Sequence, residues 1–190
     1  KPLAGRSVIE QHPFHYFLPR HTQRLIIGSF PCFNGRDYGE WFYSGSGRNE
    51  FWRLLGDVFN MSTHTLSDKK MLCERHGIAL TDVAYCIERK ANNCADANLR
   101  ILDINHTGIT ACLAAQPRII YFTSRFVERH FIKHYPQPHC ETRVLLSPSP
   151  AANRHLASLV EYKQLRAAQR INSPYEFRQL KYRQALLDDS

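Results

Sequence analysis

Several signatures that would announce a chemistry at once are missing from this 190-residue chain. There is no G-x-x-x-x-G-K-[ST] run, which excludes a P-loop nucleoside triphosphatase. The pair Gly45-x-Gly47 is too short for a dinucleotide fingerprint and follows no strand. No H-E-x-x-H or comparable histidine spacing signals a catalytic metal, and none of the six cysteines forms a C-x-x-C pair, so neither a zinc ribbon nor a clustered iron–sulfur site is indicated. The cysteines are scattered, as expected of free thiols in a reducing compartment. No apolar run reaches the ~18 residues of a membrane span, and Lys1-Pro2-Leu3-Ala4-Gly5 lacks the apolar core of a secretory signal. The expectation is a cytoplasmic protein without metal or cofactor. Internal repeats and dividing linkers are absent too, so one domain is expected over 1–190, with an irregular lead-in at 1–23 and basic helices at 155–190. Acidic side chains are few: 17 against 25 basic ones, a net charge of +8 that favours polyanions, nucleic acid first.

What is present is an alternation of strand and helix patterns. Leu25-Ile26-Ile27 is a short branched-aliphatic run cut off by Gly28, Ser29 and Pro31, and reads as a buried strand over 24–29. Similar runs predict strands at 78–83, 119–122 and 144–146. Between them, Phe51, Leu54, Leu55 and Val58 recur at helical spacing. Helices are also expected at 66–76, stopped by Gly77, and at 104–116, stopped by Pro117. A further helix should run to residue 135 behind a Ser124 cap, and another over 155–187, broken near 172–174. Such alternation predicts an α/β fold, a three-layer αβα sandwich around a central, mainly parallel four-stranded sheet.

In such sheets ligands sit at the carboxyl ends of the strands. The unusual sequences of this chain fall there, at 28–35, 82–89, 123–125 and 147–154. The first carries two phenylalanines, a cysteine and two glycines, which suits the floor of a pocket for a flat heterocycle; a tight turn whose aromatics fall back on the core is the alternative. A flipped nucleobase fits both the aromatic pocket and the positive charge. Cys32 as a nucleophile would require a base beside it, and none is placed by the sequence.

Four motifs then line up with a known family. Gly28-Ser29-Phe30-Pro31-Cys32-Phe33-Asn34-Gly35 resembles the first motif of the uracil-DNA glycosylase superfamily, and Ser147-Pro148-Ser149-Pro150-Ala151-Ala152 resembles its proline-serine loop that pinches the DNA backbone. Arg48-Asn49-x-Phe51-Trp52 resembles the helix start of the mismatch-specific and hypoxanthine branches, and Gly77 to Val83 resembles the strand whose last polar side chain reads the base edge. The Gly-Ser-Phe-Pro form points to the hypoxanthine-DNA glycosylase branch.

The resemblance implies a monofunctional glycosylase, a monomer with no cofactor, acting on DNA that contains a deaminated base. Uracil-specific members carry an Asp where this chain has Phe30, so that carboxylate is absent. Phe30 or Phe33 is then expected to stack on the base, with Tyr43 opposite Phe33 and backbone N–H groups near Ser29 and Phe30 binding an acceptor. Asp82 stands where uracil enzymes have Asn; a carboxylate accepts but does not donate, which favours an edge offering N–H, such as N1–H of hypoxanthine. Asn49 is the catalytic candidate, positioning water, with helix capping as the alternative role. Ser147 and Ser149 are expected on phosphates, as is Arg48, which would otherwise buttress its loop. Ala151 and Ala152 are too small to fill the gap a flipped base leaves, so Asn153 or Arg154 is the wedge candidate, with a phosphate contact or plain solvation the other reading of Arg154. A non-catalytic DNA or nucleotide binder of the same fold, and a nucleoside hydrolase, remain as alternatives.

Overall fold

The computed structural model describes residues 7–187. Two short strands open it, β1 (Val8–Gln11) and β2 (Tyr16–Phe17), before the aliphatic run becomes β3 (Arg24–Gly28). A long loop leads to α1 (Phe51–Phe59) and α2 (Leu66–Arg75), then β4 (Ile78–Asp82), β5 (Ala84–Arg89) and β6 (Leu99–Ile104). The chain continues through α3 (His106–Ala114), β7 (Ile119–Phe122), α4 (Arg125–His134) and β8 (Glu141–Val144). It ends in α5 (Asn153–Ser158), α6 (Val160–Ala167) and α7 (Pro174–Leu187).

The main sheet has the order β2-β4-β3-β7-β8. Its last four strands are parallel, with Ile26 facing Leu80 on one side and Tyr121 on the other, while β2 adds an antiparallel edge. The sheet is therefore mixed and five-stranded, not four-stranded. The extra strand comes from the lead-in, whose two-residue ladder is too short to leave a periodic signal. Because side chains alternate across a strand, Ile26, Leu80 and Tyr121 pack with Phe51, Leu54, Leu72 and Tyr182, so α1, α2 and α7 cover one face. Leu25, Ile27, Ala79, Ile120 and Phe122 pack with Ile109, Cys112, Val127 and Phe131 of α3 and α4 on the other.

A second sheet, β1-β5-β6, is antiparallel. Its hairpin occupies a stretch expected as loop and helix start, because only Ala84, Ile87 and Leu99 of its residues are buried and no clean alternation marks it. The helix expected from 104 accordingly begins at His106 behind the Asn105 cap, whose side chain accepts from Gly108 N–H. The strand expected at 144–146 pairs earlier, over Glu141–Val144. The tail folds as three helices rather than two. Leu159 takes an extended conformation between α5 and α6, and Pro174 opens α7. Its cations do not form one face: Arg178 is fully buried, Lys181 pairs with Glu161 at 3.1 Å, and Arg166 donates to the Asn172 carbonyl at 2.5 Å.

Among the described residues no helix is long and apolar enough to cross a membrane.

Candidate active site

The carboxyl ends of β3, β4 and β7 and the loop after β8 surround a cleft of about 90 Å³. Ser29, Phe30, Tyr43, Asn49 and Asp82 line it, together with Ser147 and Ser149. The sequence-expected loops thus do meet at one place. A wider open groove of about 690 Å³ adjoins the cleft and shares Tyr43, Ser46 and Asn49 with it. The narrower cleft is the one that lies at the strand ends.

Asp82 closes β4 at 4% exposure, and its Oδ2 lies 2.6 Å from His12 Nε2. The ring of His12 is equally buried, and its Nδ1 accepts from the backbone N–H groups of Phe14 at 3.1 Å and His15 at 2.9 Å. Nδ1 therefore carries a lone pair, so the ring proton is on Nε2 and is donated to Asp82. This leaves Asp82 Oδ1 for the cleft. Asp82 is further framed by Asn105, which donates to the Asp82 carbonyl at 3.1 Å. Gly28 makes room for this arrangement: a Cβ there would collide with Asp82 Oδ1 and the Tyr43 hydroxyl.

Tyr43 adopts a left-handed backbone conformation, φ 58°, and its ring stacks on Phe51 at 3.8 Å between centroids. It does not face Phe33. Its hydroxyl is buried and has no hydrogen-bond partner among the described residues. Burial, and next the Asp82 charge, push its pKa well above the usual tyrosine range, so it stays protonated as a donor. The Thr123 side chain lies close enough to oppose that shift, and a buried donor so placed can serve a ligand acceptor.

Asn49 stands two residues before Phe51, the first residue of α1. It lines the cleft, and its Oδ1 accepts the Phe51 backbone N–H at 2.9 Å, tying off an orphan donor at the start of α1. That bond fixes the amide orientation and leaves Nδ2, a donor, as the free end. Phe30 lies in the cleft wall, edge-on to His12 at 5.5 Å and to Tyr38 at 6.0 Å.

Other expected contacts sit elsewhere. Phe33 is 40% exposed and packs on Tyr38 at 5.3 Å in a separate surface groove with Val8 and Ile9, because the chain turns outward after Pro31. Arg48 is exposed and outside the cleft lining. Asn153 is turned under the proline-serine loop, where its Oδ1 accepts from Arg178 at 2.7 Å, so it is not an outward-facing wedge. Arg154 is exposed.

Several contributors were not visible in the sequence. Arg178, which lies in the stretch expected only as basic helices, is the anchor of the proline-serine loop. It donates to the carbonyls of Ser147 at 2.7 Å and Ser149 at 2.8 Å, and pairs with Glu50 at 3.1 Å. The Glu50 backbone N–H in turn donates to the Pro148 carbonyl at 2.9 Å. Within the loop Ser147 Oγ accepts the Ser149 N–H at 3.3 Å, and Ser149 Oγ accepts the Ala151 N–H at 3.3 Å, capping the short 3-10 turn Pro150–Ala152. Cys32 and Cys94, expected as free thiols, form a disulfide with Cα atoms 5.3 Å apart, linking two walls of the cleft. His12, Asp96 and Thr123 complete the surroundings. No group of three or more His, Cys, Asp or Glu among the described residues could hold a metal ion.

A sheet-end cleft lined by aromatic rings and buried polar groups, beside an anchored proline-serine loop, defines an α/β protein with its candidate ligand site at the carboxyl ends of the strands. Residues 14–170 match the profile of the Uracil DNA glycosylase superfamily, and the chain belongs to that superfamily. It is similar to a protein of Methanosarcina barkeri (strain Fusaro / DSM 804) named "Hypoxanthine DNA glycosylase", 26% identical over 152 residues, which cover 79% of this chain and 93% of the relative. It also resembles the solution NMR structure of a protein from Methanosarcina acetivorans, provisionally named a uracil DNA glycosylase. There the TM-score is 0.57 and the identity 26%, over 84% of this chain and 96% of the other.

Proposed function

We propose that this glycosylase is monofunctional and removes a deaminated purine, hypoxanthine, from DNA by taking the flipped base into the sheet-end cleft. The observation that carries the reading is the His12–Asp82 pair. With His12 Nε2–H holding Oδ2, Asp82 offers Oδ1 as an acceptor with no donor of its own. N1–H of hypoxanthine satisfies it, and the Tyr43 hydroxyl is a donor for the neighbouring O6. Uracil offers the same pair at N3–H and O4, so these two groups read a deaminated base edge, and the preference for the purine rests on the relative's name and on Phe30 in place of a carboxylate. The Phe30 ring supplies apolar wall against the base. Ser147 and Ser149 grip the backbone phosphates from a loop that Arg178 makes stiff, and Arg48 and Arg154 add exposed positive charge beside it.

Glycosidic cleavage develops positive charge on the sugar while the bond electrons leave with the base. Asn49 Nδ2 can donate to a water oxygen on the sugar side of the cleft and so orient it for attack on C1′. No metal or cofactor enters this scheme. The relative's name, "Hypoxanthine DNA glycosylase", supports the substrate assignment, and the absence of a carboxylate at Phe30 sets this chain apart from the uracil-specific pattern.

The test is a panel of oligonucleotides, each with one deoxyinosine, deoxyxanthosine or deoxyuridine, scored for free base and for an alkali-labile abasic site. Release from deoxyinosine above the others is expected. Salt-sensitive binding with no release from any lesion would instead identify a non-catalytic DNA-binding member, and activity on free nucleosides alone a nucleoside hydrolase.

A further inference from the structure

Orienting a water does not deprotonate it. Asn49 cannot take a proton: its Oδ1 is held by the Phe51 N–H and its free end is a donor. Asp82 has one oxygen bound by His12 and the other committed, in the reading above, to the base edge. The cleft holds one more carboxylate. Asp96 opens the 3-10 turn Asp96–Asn98 in the connection between β5 and β6, and it lines the same cleft as Asn49, Asp82 and Ser29. Its Oδ2 accepts from Ser124 Oγ at 3.0 Å, and Ser124 is itself fixed as the cap of α4, accepting from Val127 N–H at 3.2 Å. The Cys32–Cys94 disulfide ties this connection, two residues before Asp96, to the loop that follows β3.

Resting on the glycosylase reading, we infer that Asp96 is the general base of the reaction, standing in from the β5–β6 connection for the carboxylate that Phe30 lacks. The water held by Asn49 attacks C1′ as the C1′–N9 bond breaks. Its O–H bond is cleaved with the proton passing to the Asp96 carboxylate, its oxygen becomes the 1′-hydroxyl of the abasic sugar, and the C1′–N9 electron pair departs on hypoxanthine. Solvent then protonates the base and removes the proton from Asp96.

The surroundings suit a proton acceptor. Burial raises the Asp96 pKa first, with the Asp82 charge adding, while the Ser29 and Ser124 hydroxyls and His130 oppose. Tyr43, the remaining titratable group coupled to it, stays neutral. A carboxylate with a raised pKa takes a proton more readily than an ordinary one. The sign for stability follows. A carboxyl whose folded pKa lies above its unfolded one lowers stability while ionised, and this penalty disappears as pH falls through the folded pKa. Asp96 is thus a group whose charged form the fold tolerates at a cost.

Asp96→Asn tests this. Single-turnover release of hypoxanthine from a deoxyinosine duplex should fall by roughly 10²–10⁴-fold, duplex affinity should stay within about threefold, and Tm at neutral pH should be equal or higher. Azide or formate should restore part of the activity of Asp96→Ala, which a structural role would not allow. In the wild type the rate should drop on the acid side, at a pH above the ordinary carboxylate range. A loss on the alkaline side would instead make Asp96 an acid and overturn the assignment. Retention of activity in Asp96→Asn within about threefold, with Asn49→Ala inactive, overturns the inference and leaves the glycosylase reading intact. No release by the wild type from any lesion overturns both.

Discussion

Arg178 gives the sharpest test of how this structure supports its site. Its guanidinium is wholly enclosed, yet it makes bonds to two carbonyls, Ser147 and Ser149, to the Asn153 amide oxygen and to the Glu50 carboxylate. Arg178→Met keeps the apolar stem and removes the charge. The Glu50 side chain, 19% exposed, is then left without its cation, and the two loop carbonyls lose their donors. Breaking a buried pair in this way costs about 3–5 kcal/mol. Partial hydration of Glu50 trims that figure, while the two stranded carbonyls add about 1 kcal/mol each. The net expectation stays at about 3–5 kcal/mol. For a chain of this size each kcal/mol moves Tm by about 2–4 °C, so a fall of roughly 6–20 °C is expected. Thermal unfolding followed by circular dichroism reads it, with Arg154→Met as the exposed control, expected within about 0.5 kcal/mol of wild type. Glu50→Gln in the Arg178→Met background should lose less than the sum of the two single changes, because the carboxylate is no longer stranded. A variant melting within about 2 °C of wild type would refute the claim that this cation holds the loop.

Four further outcomes are expected. Asp82→Asn gives the base-reading position a donor, so kcat/KM on deoxyinosine should fall by about 5–150-fold, the equivalent of about 1–3 kcal/mol for an unpaired polar contact, while the ratio of deoxyuridine to deoxyinosine release rises; equal losses on both would sink the base-reading role. Asn49→Ala should lower turnover and also lose up to about 1 kcal/mol of stability, since its Oδ1 serves the start of α1; unchanged turnover with lowered stability would leave capping as its whole role. Thiol titration of the unreduced, denatured protein should find only Cys73, Cys86, Cys112 and Cys140, and Cys32→Ser should lower stability by up to about 4 kcal/mol, as a cross-link spanning 62 residues implies; six free thiols would contradict the pairing. Gly28→Ala should cost about 1–3 kcal/mol and impair base release more than DNA binding, because the added methyl meets the Asp82 and Tyr43 side chains; a fully active variant would show that the two groups are not held together there.

Much of this protein is legible without coordinates, because much of it is decided locally. Leu25-Ile26-Ile27 and Ile119-Ile120-Tyr121-Phe122 are buried on both faces and read as strands for that reason. Thr65 and Asp68 form a capping box, Ser124 caps α4, and the period of Phe51, Leu54, Leu55 and Val58 marks the buried side of α1. Parallel strands joined by helices then bring the loops after β3, β4, β7 and β8 to one edge, which is why Ser29, Asn49, Asp82, Ser147 and Ser149 meet as the motifs imply. Tertiary structure alone decided what those residues touch. His12 reaches Asp82 across 70 residues, Arg178 reaches Ser147 across 31, and Ser124 reaches Asp96 across 28. No local period encodes such pairings, since a buried cation and a solvated one look alike along a helix, and a two-residue edge strand has no period at all. The sequence determined that there is a cleft and which strands end in it; the packing of distant segments determined which groups inside it are bound and which are free to act on a base.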